Sequence, residues 1–392
     1  MRVVLSTIGS RGDVQPMVGL ALHLRDVGHH PVVCAPPTFT DLIGELALDF
    51  VPVGHDVRLG ARYVPGGATS TLVAQFETLR EAARRCDAVV GCAAMQVAAR
   101  SIAEWYGVPY FYAAYAPVTL PGDRHPPLRL PGRQPMPADE DHRAQWHRDA
   151  LHWNNLWRDG LNAQRAALRL PPIDDVRNHI FSDRPLLAAD PTLAPWPASE
   201  RVNVVQTGAW LWTDSRPLSE GLRAFLDAGP PPIYFGFGSM MVPRTSGATM
   251  LAAARALGYR AIVLRGWADL APSGESPDCL AVGEVNQQAL FSRVAAVVHH
   301  GGAGTTTVAA LAGAPQVVVP HDYDQHYFAA RIAALGAGAA HSPADPTVDS
   351  LAAALDSVLS PAVANRAEAL AAAVRTDGTA VATRVITSTA WT

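Results

Sequence analysis

The stretch Val297-Val298-His299-His300-Gly301-Gly302-Ala303-Gly304-Thr305-Thr306-Thr307-Val308-Ala309-Ala310 decides how this chain is read. Val294 to Val298 reads as a short buried strand. Val308 and Leu311, with their alanine neighbours, read as a helix. The turn between them holds three glycines, a histidine and a run of threonine hydroxyls. Small residues let backbone N–H groups approach an oxyanion closely, and the dipole of the following helix favours negative charge there. His300 and Thr305 can each add a hydrogen bond. A plain tight turn accounts for the glycines, but it leaves the paired histidines and the threonines unexplained. A Walker A loop needs G-x4-G-K-[ST], and the stretch has no lysine; G-x-G-x-x-G fails on spacing. A diphosphate held without lysine fits a leaving group being stabilised better than a phosphoryl group being moved.

Outward from this turn, strands and helices alternate. In the first half, strands are expected at 3–6, 31–34, 50–53, 87–90, 110–113 and 186–189, with helices over 72–85 and 95–106. Pro16 is expected to open a helix in the position proline prefers. A second series starts at Ile233, with strands at 233–235, 260–264, 280–282, 294–298 and 316–320. Its helices fall at 249–257, 351–359 and 362–374. Such alternation means βαβ units on parallel sheets. The class is α/β: two Rossmann-like domains, 1–210 and 218–375, facing each other across a cleft. The tail 376–392 is expected to return to the first domain.

The 392 residues and 49% hydrophobic content suit two cores. A net charge of −4 gives no reason to expect nucleic acid or an anionic membrane as partner. All 31 basic residues are arginine, which excludes a Schiff-base lysine and pyridoxal phosphate chemistry. Cys34, Cys86, Cys92 and Cys279 are scattered, as reduced thiols are. No signal-peptide core opens the chain and no apolar run reaches ~18 residues, so a cytoplasmic protein without a transmembrane segment is expected.

In an open α/β sheet, ligands bind beyond the carboxyl ends of the strands. Ser239, Trp267, Gln287, His300 and the pair Asp324-Gln325 stand at successive strand ends in the second half. Trp267 either stacks on a nucleobase or packs in the core. Asp324 either holds sugar hydroxyls or caps a helix. Asp322-Tyr323-Asp324 spells D-x-D, yet no other carboxylate cluster accompanies it, so no catalytic metal is expected. In the first half Asp13 lies in the loop after the first strand. An ionised carboxylate there is either a base or a helix cap. Residues 117–137 carry seven prolines and read as an extended surface loop. The stripe Trp146, Ala150, Trp153, Trp157 and Leu161 marks one helix face within 139–170. It either packs on the sheet or lines an apolar acceptor cleft. Arginine-containing loops at 58–67 and 124–133 point to a large, partly polar acceptor.

Five segments carry a resemblance: RVVLSTIGSRGDVQP (Arg2 to Pro16), VVQTGAW (Val204 to Trp210), RGWADL (Arg265 to Leu270), VGEVNQQALF (Val282 to Phe291) and HHGGAGTT (His299 to Thr306). In this order the chain resembles the nucleotide-sugar-dependent glycosyltransferases of the GT-B fold, above all the bacterial enzymes that glycosylate vancomycin-type glycopeptide aglycones. The resemblance implies an acceptor-binding first domain and a donor-binding second domain. It implies Asp13 as the base that deprotonates the acceptor, with Ser10, Arg11 and Ser239 near the donor phosphates. His300, Gly302, Gly304 and Thr305 would hold the diphosphate. Trp267 would stack on the base, Val282 would touch it through the backbone, and Gln287 would serve base or ribose. Asn286 stands where the family's usual proline precedes that glutamine. Asp324 and Gln325 would hold the donor sugar. The implied reaction is inverting and needs neither metal nor cofactor beyond a dTDP- or UDP-sugar. Its other partner is a hydrophobic or peptide aglycone. A lipid or polyketide acceptor, a nucleotide-sugar 2-epimerase and a non-catalytic partner protein are the competing readings.

Overall fold

The computed structural model describes residues 1–57, 67–93, 95–130, 136–137, 139–197, 202–243, 246–271 and 276–389. The loop at 58–67 named above falls, but for its last residue, outside them. The first half runs β1 (Arg2–Thr7), α1 (Arg11–Asp26), β2 (His30–Ala35), α2 (Thr40–Glu45), β3 (Asp49–Pro52), α3 (Gly67–Ala82), β4 (Ala88–Cys92), α4 (Ala99–Tyr106), β5 (Tyr110–Ala114), α5 (His142–Ala167), α6 (Val176–Phe181), β6 (Leu186–Leu187) and β7 (Val205–Gln206). The second runs α7 (Glu220–Asp227), β8 (Ile233–Gly236), α8 (Ser246–Ala256), β9 (Ala261–Leu264), β10 (Cys279–Val282), α9 (Gln287–Phe291), β11 (Ala296–His299), α10 (Ala303–Leu311), β12 (Gln316–Val318), α11 (Gln325–Leu335), β13 (Gly338–Ala340), α12 (Val348–Val358), α13 (Pro361–Ala373) and α14 (Gly378–Thr389).

Two parallel sheets result. The first has strand order β3-β2-β1-β4-β5-β6-β7 and the second β10-β9-β8-β11-β12-β13. Helices cover both faces, so central strands are apolar throughout: Val3, Val4 and Leu5 of β1, like Val297 and Val298 of β11, are fully buried. The halves also share apolar packing. Phe328, Ala329 and Ile332 of α11 join one core with Leu193 and Ala194 of the first half. Arg331 donates to the carbonyls of Leu193 and Thr192 at 3.0 and 3.1 Å. Helix α14 crosses back to pack on α1, burying Ala382 and Ile386 beside Leu20 and Trp210. This crossing needs glycine at 378, where a Cβ would stand 2.2 Å from the Ala209 carbonyl oxygen.

Some expectations need correction. Helix α1 begins at Arg11, so Pro16 lies inside it. The proline forfeits one bond to the turn before it, but Val14, Met17, Val18, Leu20, Ala21 and Leu24 bury a full face, which outweighs that loss. The helix expected from residue 95 starts only at Ala99. Gln75 reaches over to accept from the N–H groups of Val97 and Ala98 and to donate to the Met95 carbonyl, holding 95–98 as a loop. Of the two readings of the tryptophan stripe of α5, packing holds: Trp146, Trp153 and Trp157 are buried. Among the described residues no helix is long and apolar enough to cross a membrane.

Candidate active site

The loop after β1 is built around Asp13. Ser10 is the N-cap of α1 and Asp13 its third residue. The Ser10 N–H donates to Asp13 Oδ2 at 2.8 Å, and its Oγ lies 3.4 Å away. Gly9 is required for this arrangement, since a Cβ there would sit 2.1 Å from Oδ2. Tyr115 donates its hydroxyl to the Asp13 carbonyl at 2.9 Å. The capping bonds therefore also orient the carboxylate. Burial pushes the Asp13 carboxyl up to about 6, against the pull of the Ser10 bonds.

Opposite, Asp324 stands at the N-cap position of α11, yet its side chain makes no cap bond. Its carboxyl is pushed up to about 7, first by burial and then by the charge of Asp13. Gln325 is turned inward. Its Oε1 accepts from the N–H groups of His321 and Asp322 at 2.8 and 3.2 Å, and its Nε2 approaches Met240 Sδ at 3.4 Å. In this state it orders the 321–325 turn.

The turn after β11 depends on a residue the sequence reading passed over. His299 is fully buried. Its Nδ1 accepts the Gly301 N–H at 3.0 Å, so the proton resides on Nε2, which meets Gln316 Oε1 at 2.9 Å. Burial lowers its ring to about 4. Gly301 has φ of +94°, and a Cβ there would stand 2.6 Å from Val318 Cγ1. His300 lies between two glycine turns: a Cβ on Gly302 would be 2.7 Å from its Nε2 and one on Gly238 3.5 Å from its Cε1. Its Nδ1 is buried, and the backbone of Gly236 lies against the ring. Burial, then His299 and His321, lower the ring to about 3, so it is neutral. Thr306 and Thr307 turn their hydroxyls back to the carbonyls of Gly302 and Ala303 at 2.9 and 2.7 Å. Thr305 remains at the helix mouth. Gly304 is exposed there, and a Cβ on it would meet nothing within 4 Å.

A cleft between the domains is lined by Arg11 and Gln15 of α1 and by Ser239, Gly266, Trp267, Gly283, Glu284, Val285 and Gln287 of the second domain. Trp267 is half-buried and borders this cleft. Its N–H donates to the Gly238 carbonyl at 3.0 Å, which joins the loops after β8 and β9. Gln287 donates to the Tyr234 hydroxyl at 3.2 Å. Arg11 reaches across to an ion pair with Glu284. Val282 stands apart: its carbonyl accepts the Arg265 N–H at 2.9 Å, and Gly283 to Val285 form the rim instead. Asn286 takes a different task from a proline. Its Oδ1 caps α9 through the Ala289 N–H, and its Nδ2 donates to the carbonyls of Asp214 and Arg216 at 2.7 and 2.8 Å. Gln288 adds a bond to the Trp212 carbonyl at 2.7 Å. These two residues clamp the interdomain linker, a role no local pattern announces.

The fold thus gathers Arg11, Ser239, Trp267 and Gln287 on one cleft, sets His300 behind Gly238, and sets Asp13 near Asp324. Among the described residues no group of three His, Cys, Asp or Glu side chains lies close enough to hold a metal ion. Such a site offers an apolar face that a base could stack on, a helix mouth that could take a diphosphate, and raised carboxyls in the first turn of α1 and at the start of α11.

Residues 3–121 match the Glycosyltransferase family 28 N-terminal domain, and residues 250–386 match the C-terminal domain of erythromycin biosynthesis protein CIII-like proteins. The chain is 46% identical to the vancomycin aglycone glucosyltransferase of Amycolatopsis orientalis over 397 residues, covering 98% of this chain and 97% of that one. It is 42% identical to the dTDP-epi-vancosaminyltransferase of the same organism over 382 residues, covering 94% and 92%. Among solved structures, the glycotransferase of kitacinnamycin aligns with a TM-score of 0.72 over 98% of this chain and 97% of that one. At 21% identity this is a likeness of fold, the GT-B arrangement of two Rossmann-like domains.

Proposed function

The chain belongs to the nucleotide-sugar-dependent glycosyltransferases of the vancomycin type, and on that premise we propose that it transfers a sugar, with inversion and without metal or cofactor, from a thymidine diphosphate donor to a hydroxyl of a glycopeptide aglycone. The family makes it a transferase of sugar from a nucleotide donor to a natural-product aglycone. The thymidine donor and glycopeptide acceptor follow the names of the two relatives; a uridine diphosphate sugar is the alternative that Trp267 would also stack on.

The observation that carries the mechanism is Asp13, held by the Ser10 N–H in the first turn of the helix whose Arg11 and Gln15 line the cleft, with its carboxyl raised to about 6. A base of that strength is ionised at neutral pH yet still takes up a proton. Asp13 accepts the proton of the acceptor hydroxyl as that oxygen attacks the anomeric carbon. The bond from this carbon to the diphosphate oxygen breaks through an oxocarbenium-like transition state, and one displacement inverts the centre. Negative charge grows on the leaving diphosphate. The N–H groups at the start of α10, Thr305 and the neutral His300 ring answer it, with Arg11 and Ser239 at its flank. Trp267 stacks on the base, Gln287 serves base or ribose, and Asp324 accepts from hydroxyls of the donor sugar.

Calorimetric titration with thymidine diphosphate and with uridine diphosphate, each in EDTA, tests the donor. Micromolar binding of the first is expected. Product analysis with vancomycin aglycone and a dTDP-sugar then gives the anomeric configuration. A folded protein that binds neither nucleotide, or a product with retained configuration, would contradict the proposal.

A further inference from the structure

The turn between β12 and α11 carries a tyrosine that the reaction above does not use. Tyr323 has φ of +60°, a left-handed conformation that a bulky residue adopts only when its surroundings hold it. The hold is visible. Its N–H donates to the Arg129 carbonyl at 2.7 Å, an isolated antiparallel bridge. Arg129 belongs to the proline-rich loop of the first domain, so this pair spans the two domains. On the other side the Gln325 side chain fastens the backbone of His321 and Asp322. A pinned backbone in this conformation aims the tyrosine ring outward, and Tyr323 is 44% exposed.

Its position is more telling than its exposure. Partial burial, and after it the charge of Asp13, raises the Tyr323 hydroxyl, so the half-covered ring lies within reach of that charge. Its neighbour in the chain is Asp324. On the far side of β11, the loop after β8 presents Met241, 73% exposed, and the preceding Met240 meets Gln325 Nε2. Two large apolar side chains thus face solvent at adjoining loops on the carboxyl edge of the donor-domain sheet. Such a surface beside a reacting group fits a ligand that covers it.

We propose that Tyr323 is an acceptor-recognition residue whose ring forms the donor-domain wall of the acceptor site, against which a planar, apolar face of the aglycone stacks while its hydroxyl meets Asp13. This rests on Asp13 being the base. The Arg129–Tyr323 bridge then joins the acceptor-side loop to the turn that carries Asp324. Acceptor and donor sugar are read from two consecutive residues.

Tyr323→Asn tests the ring alone, because asparagine tolerates the left-handed backbone. Thymidine diphosphate affinity of this variant, by calorimetry, is expected within twofold of wild type. The KM for vancomycin aglycone is expected to rise roughly tenfold, the scale of a lost aromatic contact. Tyr323→Phe is expected to restore it. An aglycone KM unchanged in Tyr323→Asn overturns the proposal. So does a loss of nucleotide affinity equal to the loss for aglycone, which would make Tyr323 only a support of the turn. Wild-type protein that binds the nucleotide but transfers nothing to the aglycone would refute the reaction itself, and is read before any variant is made.

Discussion

Asp13 and Asp324 come from different domains, and the charge on Asp13 adds to the burial that lifts the Asp324 carboxyl to about 7. The two therefore titrate as a coupled pair, with midpoints raised to about 6 for Asp13 and about 7 for Asp324. The reaction wants the first ionised. We expect kcat/KM for the acceptor to rise through about pH 6, as measured across pH 5 to 8 at saturating donor. An acid limb near pH 4 would mean the base lacks the burial described. Asp13→Asn should lower the Asp324 midpoint, which a carboxyl NMR titration reads.

The same shifts set a stability trend. Both folded carboxyls lie above the usual ~3.9 of an unfolded aspartate. A raised carboxyl contributes its stability fully below the unfolded value and loses it as pH rises through the folded one. For Asp324 that window runs from about 4 to about 7. Asp324→Asn should then melt near wild type at pH 4 and above wild type at pH 8. Equal Tm values at both pH values would contradict the burial.

Asp13→Asn should keep helix α1, because an amide oxygen still accepts the Ser10 N–H. Transfer should fall by roughly a hundredfold or more, the scale of a lost general base, with thymidine diphosphate affinity almost unchanged. Single-turnover kinetics with calorimetry on the same preparation decide it.

Two glycines of the turn after β11 should part company. Gly302→Ala sets a Cβ 2.7 Å from His300 Nε2 and must displace that ring, so nucleotide affinity should drop. Gly304→Ala meets nothing within 4 Å and should leave the Tm unmoved. If it still weakens thymidine diphosphate, the diphosphate lies against residue 304.

Asn286→Pro installs the proline that the resemblance implies at this position, and should harm this chain. It removes the α9 cap and leaves the Asp214 and Arg216 carbonyls without their Nδ2 donor. A loss of about 1–3 kcal/mol is expected in urea unfolding. Unchanged stability would show the linker clamp to be idle.

The sequence by itself determined what depends on neighbours in the chain. Apolar runs of four or five residues alternating with amphipathic stretches dictate buried parallel strands and covering helices, and glycine beside histidine at the end of β11 dictates a tight turn into a helix N-terminus. Strand ends then place Ser239, Trp267, Gln287, His300 and Asp324 on one edge without any knowledge of packing. Only the tertiary structure decided what depends on distant approach. His299 has no role legible in the sequence, and its task is fixed only where Gln316 meets its Nε2. Asn286 looked like a lost proline until the linker met its amide. Asp13 read equally as cap or base, and folding leaves a capping carboxylate that is raised and near a second one, because Gly9 clears the space beneath it and Asp324 arrives from the other domain. The Arg129–Tyr323 bond has no local signature at all, since its donor and acceptor are backbone groups that every residue but proline carries. Periodicity and turn chemistry are written in short windows. The pKa of a carboxyl and the partner of a backbone amide are set by what the rest of the chain brings beside them.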